Sequence, residues 1–110
     1  MSKQGETNIK KKILDLLKDL EDRGLPFYHE TRSGNGGFNQ RKGVPDIWFT
    51  YEGIHFECEV KTEEGHLSTM QEGFRYRCTN IYHNEYINPH SFQEFKEFID
   101  SLLTNEARPH

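Results

Sequence analysis

The chain has 110 residues and a formal net charge of −4 at pH 7, a length that fits one domain with a modest core. Only 33% of the residues are apolar, yet there are eight Phe, five Tyr and one Trp, an aromatic load that disordered chains lack. No apolar run approaches the roughly 20 residues that a bilayer-crossing helix needs. The first six residues, Met-Ser-Lys-Gln-Gly-Glu, lack a signal-peptide core. Cys58 and Cys78 make neither a disulfide framework nor a paired Cys-x-x-Cys zinc site. The expectation is a single domain over 1–110 in a reducing compartment, the cytoplasm. A negative total runs against nucleic-acid binding, but the charge is uneven. Lys10, Lys11 and Lys12 form a basic run, and Arg32, Arg41 and Lys42 fall in a stretch without acids from Thr31 to Pro45. Acids gather around Glu85, Glu94, Glu97 and Asp100. Local positive surface can hold phosphate under a negative total, although a solvated helix face accounts for the Lys run equally well.

In chain order, Ile9, Ile13, Leu16, Leu17 and Leu20 recur at helical steps and predict an amphipathic helix over about 7–23, ended by Gly24 and Pro26. Pro26 to Thr31 reads as a strand. Arg32 to Gly43 holds four glycines and two asparagines and reads as a loop long enough to be functional. Asp46 to Tyr51 and Ile54 to Lys61 read as a hairpin turned at Glu52-Gly53. In its second strand Phe56, Cys58 and Val60 face one way, and Glu57, Glu59 and Lys61 the other. Ser68 caps a helix to about Cys78, with Met70, Phe74 and the stem of Arg77 expected inward. Tyr82 to Ile87 holds a last strand. Ser91 and Glu94 form a capping box for a final helix carrying Phe92, Phe95, Phe98, Ile99, Leu102 and Leu103, and the tail from Thr104 is expected to be loose. The order helix, strand, strand, strand, helix, strand, helix is a mixed α/β sheet flanked by helices.

Three of these residues carry chemistry. Asp46 opens one strand of the hairpin, and Glu59 and Lys61 share a face near the end of its partner, so all three can converge. Two adjacent carboxylates resist joint ionisation, and a hard divalent cation relieves the conflict; Mg²⁺ suits a few carboxylates plus waters. Such a metal polarises phosphate and acidifies water, and Lys61 beside it can orient or deprotonate that water or stabilise phosphate charge. A bare Glu-x-Lys triplet is more often a surface salt bridge; the Gly-x-Pro-Asp turn upstream favours the catalytic reading.

Lys42-Gly43-Val44-Pro45-Asp46, then Glu59-Val60-Lys61, then Leu67-Ser68-x-x-Gln71 together resemble the VRR-NUC (virus-type replication and repair nuclease) family of the PD-(D/E)XK superfamily. The resemblance runs from the first helix to the helix after Gln71. It implies a PD-(D/E)XK restriction-endonuclease-like core and hydrolysis of DNA phosphodiesters with Mg²⁺ or Mn²⁺ held by Asp46, Glu59 and the Val60 carbonyl. It also implies site roles for Glu6 at the start of the first helix and for Gln71, which would position substrate or water. Arg41 and Lys42 would contact phosphate before the turn, and Arg32, Lys10 and Lys11 are further candidate DNA contacts. Gly43 would let the chain turn close to the phosphate, and Pro45 would pre-set the backbone before Asp46. Stand-alone members resemble dimeric resolvases of branched DNA, which implies a homodimer with two opposed active sites on a four-way junction, in a phage-type protein acting in its host. Glu57 departs from the family, which has an apolar residue there; exposure or a salt bridge is the expectation. His83-Asn84 and Asn88-Pro89-His90 invite a His/Asn nuclease reading but lack a partner set, and Cys58 should be a buried, inert thiol. The alternatives are a DNA-binding module that keeps the fold without catalysis, and a protein-interaction domain using the acidic C-terminal face.

Overall fold

A computed structural model describes residues 3–32 and 42–104. The elements are α1 (Lys3–Asp22), β1 (Phe27–Thr31), β2 (Ile47–Tyr51), β3 (Ile54–Cys58), α2 (Thr69–Asn80), β4 (Glu85–Ile87) and α3 (Phe92–Thr104), the order expected from the sequence. The sheet runs β1-β2-β3-β4. Its first two pairings are antiparallel and β3 pairs with β4 in parallel, which makes the sheet mixed. The β2–β3 turn places Glu52 and Gly53 at φ 51° and 82°, the left-handed pair that a tight hairpin demands. No described helix is long and apolar enough to cross a membrane.

One face of the sheet is the core. Ile47, Phe49, Phe56, Cys58 and Val60 meet Ile13, Leu17 and Leu20 of α1 and Phe95 and Ile99 of α3, all buried. Phe49 is the hub, stacked on Phe56 at 4.9 Å and meeting the edge of Phe95 at 5.9 Å. The opposite face is covered at its β4 side by α2, where Phe74 lies 6.3 Å from Tyr86 and the Arg75 guanidinium sits over the Tyr86 ring.

Several local expectations are corrected. The first helix begins at Lys3, about a turn earlier than the expected start near residue 7. Met70 points to solvent, 54% exposed, and Cys78 is the buried residue of α2, because α2 crosses only the narrow β4 edge. Leu103 is exposed as well. The Ser91 hydroxyl accepts from the Glu94 N–H, but the Glu94 carboxylate reaches back to the N–H of His90 rather than of Ser91, so the cap of α3 closes one residue early. Thr104 still belongs to α3. Most of the glycine-rich loop and the tail beyond Thr104 lie outside the described residues.

Candidate active site

β3 ends at Cys58 and not at Lys61 as expected, and the segment that follows it supplies the site. The last β2–β3 pair is Ile47↔Cys58, and one further step of that register sets Asp46 opposite Glu59, both on the face away from the core. Beyond that pair the chain stays tied to the other neighbour: Glu59 N–H donates to the Ile87 carbonyl at 3.0 Å and Lys61 N–H to the Pro89 carbonyl at 3.1 Å. Glu59 is thus fixed from the backbone and buried, 7% exposed. Burial pushes its carboxyl up to about 7; Lys61 draws it down, Asp46 raises it, Lys10 lowers it and Glu6 raises it. Four charged groups therefore act on the Glu59 carboxylate: Asp46, Lys61 and Glu6, which the sequence also singles out as site residues, and Lys10.

Gln71 is held at the same place. Ser68 caps α2 and receives a complete capping box from Gln71. The Gln71 Oε1 accepts from Ser68 N–H at 2.7 Å, which leaves its Nε2 to donate to Glu59 Oε2 at 3.3 Å. The turn before Asp46 locks onto this helix. Gly43 has φ 88°, and a Cβ there would lie 2.4 Å from the Met70 carbonyl oxygen. Gly43 therefore permits this close contact with the first turn of α2. The Lys61 stem passes Gly65, where an added Cβ would fall 3.2 Å from Lys61 Cβ.

The basic residues divide. Lys10 Nζ is 2.6 Å from Asp46 Oδ2, beside the carboxylate pair. Its placement was missed, although the signal was present: Lys10 and Glu6 continue the Ile13, Leu17 and Leu20 stripe at steps of three and four, so the helix face that packs the core runs into the site at its N-terminal end. Arg32 makes a two-pronged pair with Glu57, both contacts at 2.7 Å, and donates to the Pro45 carbonyl at 2.9 Å. Glu57 also meets His55 Nε2 at 2.6 Å. The salt-bridge expectation for Glu57 holds, but its exposure does not: the residue is 3% exposed, shielded by the groups that pair with it. Lys11 pairs with Asp15 on the exposed side of α1. Lys42 is exposed, and Arg41 lies outside the described residues. A cleft of about 360 Å³ lined by Gly5, Ile9, Thr62, Glu64, His90 and Ser91 flanks the centre, its walls one residue away from Glu6 and Lys61. His90 Nε2 contacts the Gly65 carbonyl there, and Cys58 is buried in the core.

A solved structure described as a VRR_NUC domain superimposes on the chain with a TM-score of 0.62, covering 87% of this chain and 95% of that one at 20% sequence identity. The fold is that of a VRR_NUC domain. No family model and no curated protein matches the sequence. The VRR_NUC fold with its mixed sheet is consistent with the PD-(D/E)XK-like core expected from the motifs.

On that VRR_NUC frame, the donor set can be compared with the needs of a divalent cation. Among the described residues no group of three or more His, Cys, Asp or Glu side chains converges as a metal cage. What converges is a carboxylate pair, and Mg²⁺ takes one or two carboxylates and keeps several waters. Two further features fit. Continuing the β2–β3 register would place Val60 opposite Pro45, which has no N–H to give the Val60 carbonyl. The Tyr86 hydroxyl is buried without a hydrogen-bond partner among the described residues, near enough to Glu59 that the carboxylate, after burial, raises its pKa; a water of the site would satisfy it. The residues present fit Mg²⁺ or Mn²⁺.

Proposed function

We propose that this chain is a metal-dependent nuclease that hydrolyses DNA phosphodiester bonds. The observation that carries the reading is the convergence on Glu59 of Asp46, Lys61 and Glu6, with the Gln71 amide fixed on the same carboxylate. A buried carboxyl with a strongly raised pKa beside specific charge partners is a mark of functional sites. Its environment favours either a proton or a cation, and the Asp46 carboxylate alongside selects a cation. Asp46, Glu59 and the Val60 carbonyl would hold Mg²⁺ or Mn²⁺, which supplies Lewis acidity toward phosphate and water.

The protein's own groups account for the rest. Lys61, two residues beyond Glu59 on the same face, presents an ammonium where negative charge grows on the phosphate. Gln71 has one productive orientation, because Ser68 occupies its oxygen; its Nε2 therefore aligns Glu59 and can share a water with it. The flanking cleft has room for the nucleoside next to the scissile phosphate. Lys42 stands exposed beside the turn, where it can meet the DNA backbone. Branched DNA such as a four-way junction is the proposed substrate, cut by a homodimer whose two-fold axis would present one site to each of two opposed strands.

Cleavage of labelled four-way-junction, flap and linear duplex DNA, with Mg²⁺, Mn²⁺ or chelator and beside Lys61→Ala, tests this. The expected result is metal-dependent cutting, strongest on the junction and reduced at least about 100-fold in Lys61→Ala. DNA that is bound and never cut with any metal would replace the nuclease by a binding module on the same fold.

A further inference from the structure

Lys10 occupies the place where the proposed metal would be expected to act. Its Nζ lies 2.6 Å from Asp46 Oδ2, and its charge also bears on Glu59. The pair is neither deeply buried nor freely solvated, with side chains 27% and 32% exposed. An ammonium is a compact point charge that neutralises a carboxylate without using the directed fork of an arginine. Its stem rises from α1 one helical turn after Glu6, in line with the buried Ile13 and Leu17, so the helix aims it inward. The acidic groups facing it are Asp46 and Glu59 across the site and Glu6 on its own helix.

We propose that Lys10 is a resident counter-cation of the site: it balances the Asp46–Glu59 pair when no metal is bound, and a divalent cation must displace it from Asp46 Oδ2 to load. The assignment rests on the metal-nuclease reading and adds a residue outside its metal-binding set. Two consequences follow from the geometry. Without metal, Lys10 keeps two adjacent carboxylates from repelling each other and holds the turn before β2 against α1. On loading, the same ammonium competes with the incoming ion for one oxygen, so Lys10 lowers metal affinity while keeping the empty site assembled. A merely structural lysine would do the reverse: its removal would loosen Asp46 and weaken metal binding.

The test is Mn²⁺ binding to the full chain without DNA, read from the free-ion electron paramagnetic resonance signal, for wild type, Lys10→Met, Lys10→Gln, Lys10→Arg and Asp46→Asn. Removing the competing charge should tighten Mn²⁺ binding roughly three- to fivefold in both neutral variants, as expected for losing one partly exposed ion pair. Lys10→Arg should stay within about twofold of wild type, since it restores a cation. Asp46→Asn should bind far more weakly. If either folded neutral variant binds Mn²⁺ no more tightly than wild type, Lys10 is not the displaced ion. If the wild type itself binds no Mn²⁺, the metal-nuclease reading fails and this assignment falls with it; wild-type binding that Lys10→Met and Lys10→Gln leave unchanged defeats the Lys10 assignment alone.

Discussion

Replacing Glu59 with glutamine should make the metal-free protein more stable at alkaline pH, although it removes a group at the centre of the proposed site. Burial pushes this carboxyl from 4.5 up to about 7. A carboxyl whose folded pKa is raised favours the folded state while protonated, so its contribution is fully present below pH 4.5 and is lost as pH rises through about 7. By linkage the loss at pH 8 would be about 2–3 kcal/mol, the lower figure allowing for relaxation around the charge. Glutamine preserves the shape and can still accept from Gln71, but it does not ionise. Urea unfolding of wild type and Glu59→Gln between pH 4.5 and 8, in chelator, should show the difference moving by about 2 kcal/mol in favour of the variant as pH rises. Adding Mg²⁺ at pH 8 should recover the loss in the wild type and do little for the variant, because the ion binds the ionised pair. A stability difference between the two proteins that stays flat from pH 4.5 to 8 would refute the claim that Glu59 is held in a proton- or cation-demanding environment.

Gly43→Ala should destabilise the fold by about 2–4 kcal/mol, since its Cβ would meet the Met70 carbonyl oxygen at 2.4 Å from a backbone at φ 88°; thermal unfolding reads this, and a shift of under about 2 °C would show that α2 yields easily. Glu57→Gln removes one charge from the Arg32 and His55 contacts at a site 3% exposed and should cost about 2–3 kcal/mol in urea unfolding; an unchanged midpoint would mean that solvent takes over both partners. Cys58 and Cys78 are buried thiols, and burial raises the pKa of both, that of Cys78 to about 11. At pH 8 an aromatic disulfide reagent should label neither in native protein and both after denaturation, and fast native labelling would contradict the packing of either residue.

The parts that were legible in the sequence are those governed by short-range periodicity. Alternation in Ile54 to Lys61 separates Phe56, Cys58 and Val60 from Glu57, Glu59 and Lys61, and the core takes the first set. The Ser68–Gln71 cap is a local signature, and the structure forms it in full. What was not legible depends on what covers the other side. Glu57 has the same phase as Glu59, but whether it meets water depends on Arg32, 25 residues earlier. Met70 has an apolar side chain in a helix position that reads as inward, yet α2 lies over a strand of three residues whose Tyr86 is taken by Phe74 and Arg75. Lys10 reads as part of a basic run because Lys11 and Lys12 follow it; adjacent helix positions point about 100° apart, and only Lys10 shares the phase of the core stripe.

The position of the candidate site follows from where the sheet cannot continue. The segment Glu59-Val60-Lys61 has a neighbour on each side, and each neighbour is interrupted by a buried proline, Pro45 and Pro89. A proline removes one ladder donor. On the β4 side the missing donor is replaced: Asn88 Nδ2 donates to the Glu59 carbonyl at 2.6 Å, where the parallel ladder would require the N–H of residue 89. That side stays closed and holds Glu59 and Lys61 in register. On the β2 side the Pro45 carbonyl accepts from Arg32 and the Asp46 carbonyl from the Arg32 N–H at 2.7 Å, so the strand start is drawn toward β1. The hairpin therefore ends at Ile47↔Cys58, and beyond it the Asp46 side chain is left facing Glu59 across a gap that ladder hydrogen bonds would otherwise close. The two prolines thus leave Glu59 tied to β4 by its backbone and Asp46 facing it across the gap, the carboxylate pair on which the proposed metal site rests.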